Sequence, residues 1–174
     1  MRVIGGEFRS RVLKSVPGLD VRPTPDRLRE TLFNILAPRL EGTVFADVYA
    51  GTGAVGIEAL SRGAARAIFV EQNQAAVKVI RENLESLRLS DRAILRQTRA
   101  AAVVATLEAD IIFIDPPYAL GQREYERSLS ILGELERDLV IVQHDRRLVL
   151  AETYGHLRRS RELKQGDNVL SFYG

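Results

Sequence analysis

The stretch ADVYAGTGAVGIEAL, residues 46–60, restricts the fold more than any other part of the chain. An apolar run carrying one acid leads into Gly51, Gly53 and Gly56, and an apolar helical pattern follows. Glycines allow a tight turn and let a ligand approach the backbone without a Cβ in the way. A strand, a glycine loop and a helix in that order open a βαβ unit, and the rest of the chain keeps the rhythm. Apolar strands are expected at 43–49, 66–71, 92–97, 110–115 and 139–144, with helices near 54–62, 74–87, 99–107 and 122–135. That alternation predicts an α/β fold of Rossmann-like type, a mostly parallel twisted sheet covered by helices on both faces. With 174 residues there is room for one such domain and a sizeable core.

The two ends depart from this pattern. HLRRSREL and NVLSFY have only KQGD between them, so they read as an antiparallel strand pair at the sheet edge. Residues 1–16 read as a β-hairpin turning at Gly5 and Gly6, an extension in front of a domain at 17–174. The segment VRPTPDRLRETLFNILAP predicts a helix with Thr24 as N-cap, Pro25 at its first position and Pro38 at its end. Leu28, Leu32, Ile35 and Leu36 form its apolar stripe.

G-x-G-x-x-G alone is a weak signal that first suggests a dinucleotide. Asp47, just ahead of the loop, argues otherwise, because a carboxylate there repels a pyrophosphate and suits a ligand with positive charge. Glu71 ends the second strand 20 residues after Gly51 (71 − 51), where an acid accepts hydrogen bonds from ribose hydroxyls. S-adenosylmethionine (SAM) has a sulfonium, an ammonium and a ribose, and uses both acids. Tyr49, Gln72 and Thr98 are the other candidate cofactor residues.

The second chemical motif is IIFIDPPY. Asp115 ends the fourth strand, near the expected switch point and beside the glycine loop. Pro116 and Pro117 fix two φ angles and stiffen the corner. The Asp115 carboxylate and the Pro116 carbonyl are then two acceptors for a planar amino group, and Tyr118 offers a face for stacking a base. An ordinary aspartate is ionised at neutral pH, so Asp115 is expected to take up or relay the amine proton. A base methylated here has to leave its stack.

These residues resemble a known family. DPPY is similar to the (Asp/Asn)-Pro-Pro-(Tyr/Phe) motif of amino-group methyltransferases. RVIGGEFRSRVL, RPTPDRLRETLFNIL, DVYAGTGAVGIEALSRGA, FVEQNQAAVKVIRENL and IIFIDPPY, in that order, resemble the RsmD family over essentially the whole chain. The resemblance implies a SAM-dependent methyltransferase fold and transfer of methyl to the exocyclic N2 of a guanine in 16S (small-subunit) rRNA. The rRNA is either free or within an assembled or assembling 30S subunit. It implies a SAM site around Asp47, Gly51, Gly53 and Glu71, a base pocket at Asp115, Pro116 and Tyr118, and an RNA-facing hairpin with Arg2, Arg9 and Arg11. Arg22, Thr24, Arg27 and Arg29 match the family segment and either hold RNA phosphate or shape the cofactor pocket. For Arg29 and Glu30 a surface ion pair or solvated helix face is an equal alternative; for Asn34 the alternatives are a cap or a core hydrogen bond. RQTRAAA departs from relatives that carry an acid or Asn followed by Ala, which puts the adenine contact at Thr98 in question and leaves Arg96 and Arg99 available to RNA.

Charge agrees with an RNA partner. Residues 1–40 hold eight Lys/Arg and four Asp/Glu, while the other 134 hold 17 and 19, so the positive excess sits at the front. No Cys and two His argue against a metal site, and no apolar run is of membrane-spanning length. A cytoplasmic monomer is the expectation. The competing readings are a DNA or RNA adenine methyltransferase of the same motif class and a non-catalytic RNA-binding assembly factor.

Overall fold

The computed structural model describes residues 1–18 and 24–174. Its centre is one eight-stranded sheet in the order β3-β2-β1-β4-β5-β8-β7-β6. The strands are β1 Val44–Val48, β2 Arg66–Glu71, β3 Ala93–Gln97, β4 Ile111–Ile114, β5 Leu139–Asp145, β6 Thr153–Tyr154, β7 Leu157–Gln165 and β8 Asn168–Tyr173. β1 to β5 are parallel, and β8 and β7 return antiparallel. β8 is buried along its length between β5 and β7, so the expected C-terminal pair is integral to the sheet. No helix among the described residues is long and apolar enough to cross a membrane.

Among the described residues five α-helices cover the sheet: α1 Asp26–Leu40, α2 Ala54–Ser61, α3 Gln74–Ser86, α4 Ala100–Val103 and α5 Gly121–Leu132. Alternate residues of each inner strand feed opposite faces. Ala46 and Val48 of β1 pack with Tyr125, Leu129 and Leu132 of α5, whereas Phe45 packs with Leu32, Phe33 and Leu36 of α1. Every residue of α2 is buried, because α1, α3 and the front of the chain surround it. The third loop glycine exists for this packing. A Cβ on Gly56 would come within 2.3 Å of Phe69 Cε1 on β2, so only glycine lets α2 lie against the sheet.

Three local expectations are corrected. Thr24 does not cap α1: Pro25 occupies the N-cap position without a side-chain cap bond, and the helix starts at Asp26. Pro38 does not end α1, which continues to Leu40; Leu36 and Leu40, one turn apart and both buried, hold the last turn despite the missing N–H. The helix expected at 99–107 is four residues of α4 followed by a 3-10 turn at Val104–Thr106.

The front segment is a loop closed by one antiparallel bridge, Arg2 to Val12. It is tied down by the carboxylate of Glu58 on α2, which accepts from Ile4 N (2.9 Å) and Gly5 N (2.8 Å). Lys14 N donates to Asn83 Oδ1 of α3 at 2.8 Å, and Val3 and Leu13 are buried among α2 and α3 side chains. Arg29 has neither a solvated nor a surface position. Its side chain is fully buried, donates to the Arg2 carbonyl (2.6 Å) and to Asp26 (3.0 Å), and lies 3.9 Å from Glu58. Glu30 is exposed, and Asn34 is an exposed acceptor for Arg62 at 3.3 Å rather than a cap or core group.

Candidate active site

Strand order reverses between β1 and β4, the place where an open α/β sheet leaves a ligand crevice beyond its carboxyl ends. Asp47 precedes the end of β1 and Asp115 follows β4; Asp115 N donates to Val48 O at 3.4 Å, which holds the two strand ends together. Glu71 ends β2 next door. Asp115 and Glu71 both lie close enough to raise the pKa of Asp47. Burial is the larger cause and pushes Asp47 up to about 8, against the lowering effect of the Gly56 N–H. Burial likewise pushes Asp115 up to about 7, opposed by the Thr24 hydroxyl 3.5 Å away. The expectation of an ordinary, ionised Asp115 is thereby corrected, because its carboxyl is half-buried at the strand end.

The acids also build the loop. Asp47 Oδ2 accepts from Gly56 N at 2.9 Å, fixing the first turn of α2. Glu71 Oε2 accepts from Gly51 N at 2.9 Å and its Oε1 accepts from Asn73 N at 2.8 Å. Each Glu71 oxygen keeps a lone pair for a further donor. Gly53 has φ +80 at the N-cap of α2, a left-handed conformation that a side chain resists. Tyr49 turns its ring into the core and donates its hydroxyl to Glu124 of α5 at 2.6 Å. Gln72 is exposed in the loop after β2. Thr98 is half-buried after β3, and its N–H donates to the Glu71 carbonyl at 3.1 Å. The β2 and β3 candidates are thus contiguous around Glu71.

The proline corner carries a feature that sequence reading missed. Tyr125 of α5 donates its hydroxyl to the Pro116 carbonyl at 3.2 Å. Burial raises the Tyr125 pKa, so this donor keeps its proton across the physiological range. The carbonyl retains one further lone pair, and its direction is fixed by Tyr125 as well as by the two prolines. Tyr125 shares the buried face of α5 with Leu129 and Leu132, and that apolar spacing disguises it as core. We expect Tyr125→Phe to reduce turnover roughly 2- to 10-fold, the worth of one hydrogen bond, with cofactor affinity unchanged. Steady-state rates beside a binding isotherm check this.

Tyr118 lies in the 3-10 turn Tyr118–Leu120 and is 42% exposed. Arg2, Arg9, Arg11 and Arg27 are all exposed, and Arg22 lies outside the described residues. The front loop reaches the glycine loop directly, where the Thr52 hydroxyl meets Met1 Sδ at 3.5 Å.

This sheet order, with its antiparallel final strands and acid-lined crevice, is the Rossmann-like fold of the SAM-dependent methyltransferases. A family model described as conserved hypothetical protein 95 matches residues 1–174, and the chain belongs to that family, which is the RsmD family. Among relatives, YlbH of Bacillus subtilis, named as a candidate rRNA methyltransferase, is 36% identical over 182 residues, spanning 99% of this chain and 98% of that one. Ribosomal RNA small subunit methyltransferase D of Escherichia coli K12 is 38% identical over 125 residues; the match spans 71% of this chain and 63% of that protein, under two thirds of its length. A solved structure of an Escherichia coli candidate methyltransferase, yhhF, superposes with a TM-score of 0.85 at 32% identity, covering 99% of this chain and 96% of that one.

Proposed function

We propose that this protein transfers a methyl group from SAM to the exocyclic N2 of a guanine in small-subunit rRNA. The observation that carries the proposal is the convergence of Asp47, Glu71 and Asp115 at the switch point, with the pKa values of Asp47 and Asp115 raised. Carboxylates with raised pKa values grouped in a crevice mark a candidate functional site, and a cationic ligand there would favour their ionised form. SAM fits the residues present: its positive groups suit the Asp47 side, and its ribose hydroxyls suit the spare lone pairs of Glu71. When bound, the cofactor supplies an electrophilic methyl group.

The chain's own residues prepare the acceptor. The Asp115 carboxylate and the Pro116 carbonyl accept the two amine hydrogens and favour a pyramidal nitrogen, whose lone pair is otherwise delocalised into the base. Asp115, with a pKa near 7, takes the proton released on transfer. Tyr118 stacks on the extruded base. Most of the acceleration then comes from positioning. The exposed arginines 2, 9, 11 and 27 face rRNA phosphate, which makes residues 1–16 an RNA-contact appendage beside the glycine loop. The names of the curated relatives, which place their activity on small-subunit rRNA, support this substrate.

The test is labelled-methyl transfer onto small subunits isolated from a strain lacking the enzyme, followed by nucleoside mass spectrometry. N2-methylguanosine is expected. Label in N6-methyladenosine, or no label, overturns the proposal.

A further inference from the structure

The amine pocket explains how an exocyclic nitrogen is held but not why the base is guanine. An open cleft of ≈ 450 Å³ next to the proline corner is lined by Tyr118, Asp145, Arg147 and Leu148. Asp145 ends β5, the strand beyond β4, so this cleft lies on the far side of the corner from the glycine loop. Asp145 is nearly buried and binds Arg147 three times: Oδ1 accepts from Arg147 N (2.8 Å) and Nε (2.9 Å), and Oδ2 accepts from Nη2 (3.0 Å). Nevertheless 86% of the Arg147 side chain is exposed. The guanidinium is therefore clamped along its Nε–Nη2 edge and presented along the other. The hydrogen bond to Asp145 and the charge of that carboxylate raise the Arg147 pKa, so the guanidinium stays charged.

An exposed arginine normally loses much rotamer freedom on binding; one clamped by a bidentate carboxylate has already lost it. Its remaining edge, Nη1 with the second proton of Nη2, is a pair of parallel donors. A guanine held by its N2 amine at Asp115 and Pro116 carries O6 and N7 at the opposite end of the ring. Those two acceptors match such a donor pair. An adenine held by its own amine turns N3 and its sugar that way instead. We propose that Arg147, oriented by Asp145, reads the O6/N7 edge of the target guanine and sets the choice of base. The assignment rests on the amine-pocket reading of Asp115 and Pro116.

The test compares wild type, Arg147→Ala and Arg147→Lys in labelled-methyl transfer onto unmethylated small subunits, with SAM binding and the salt dependence of subunit binding measured for each. Loss of the Arg147 side chain takes two donors from the nearly buried Asp145, so thermal melts are recorded for each variant and transfer is compared at a temperature where all three proteins are folded. Arg147→Ala is expected to lower kcat/KM about 5- to 150-fold. Lysine, which keeps the charge but loses the fork, is expected not to restore it, and both SAM affinity and the salt slope are expected to stay as in wild type. Unchanged transfer by Arg147→Ala overturns the assignment. So does rescue by lysine together with a salt slope shallower by about one in Arg147→Ala, which marks a phosphate contact. If wild type itself transfers no methyl to guanine, the amine-pocket reading fails first and the assignment with it.

Discussion

Replacing Asp115 by alanine is expected to lower methyl transfer about 10²- to 10⁴-fold while leaving SAM affinity within a few-fold of wild type. Asp115 follows β4, on the other side of β1 from Glu71, and the proposed function assigns it to the acceptor base rather than to the cofactor. Its pKa of about 7 adds a pH signature. Only the ionised carboxylate can take the amine proton, so wild-type kcat/KM, which reports the free enzyme, should rise from pH 6 to pH 8. Asp115→Asn keeps one acceptor oxygen but no base, and its residual rate should lose that rise. Single-turnover transfer between pH 5.5 and 9 decides this; full activity in Asp115→Ala, or a pH-independent wild type, contradicts the assigned role.

The same shifts bear on stability, with a sign opposite to that of a salt-bridged acid. Asp47 and Asp115 have native pKa values of about 8 and about 7, above the ordinary value of 3.8. The native state therefore holds protons that the unfolded chain releases, and these two groups cost stability as pH rises from about 4 to about 8. A cationic ligand beside Asp47 reverses that cost. It favours the ionised form, so SAM binding tightens with rising pH across the same window.

The sheet was legible because β2, β4 and β5 are largely apolar, buried runs alternating with helical patterns, as a doubly covered parallel sheet requires. The glycine loop, Glu71 and the DPPY corner were legible because their spacing is local. The missing parts are set by long-range partners. Tyr125 acts nine residues from Pro116, and Glu124 reaches Tyr49 across 75 positions. Asp145 ends β5 and Arg147 sits in the turn after it, and their place beside Tyr118 follows from the β4–β5 pairing. Pro38 misled because a helix-breaking residue was weighed without the burial of Leu40. Arg29 misled because charge suggests solvent. The available clue lay elsewhere: AVGIEALS is an apolar helix with a single acid, Glu58, and a lone buried acid needs donors and a cation.

That clue gives the largest expected effect on folding. Glu58 has a fully buried side chain, and three donors converge on it, Ile4 N, Gly5 N and Arg62 Nε (2.8 Å), while the Arg29 Nε lies 3.9 Å away, within ion-pair range but beyond a hydrogen bond. Arg29 is already poorly satisfied, with Nε and Nη1 unpartnered, and burial lowers its pKa against the opposing pull of Glu58 and Asp26. Glu58→Ala removes the main counter-charge and leaves a buried cation and two unpaired amides. It is expected to cost about 3–5 kcal/mol. For a chain of this size that lowers Tm by roughly 6–20 °C. The front loop loses its anchor at the same time, so proteolysis near Arg9 and Arg11 should quicken at temperatures where the sheet is still folded. Adding Arg29→Met removes the stranded charge and should recover part of the loss, which separates electrostatic strain from a simple cavity. Thermal melts and limited proteolysis of the single and double variants measure both effects; a Glu58→Ala protein that melts with wild type, or a double variant no better than the single, rejects the role of this ion pair in docking the front of the chain.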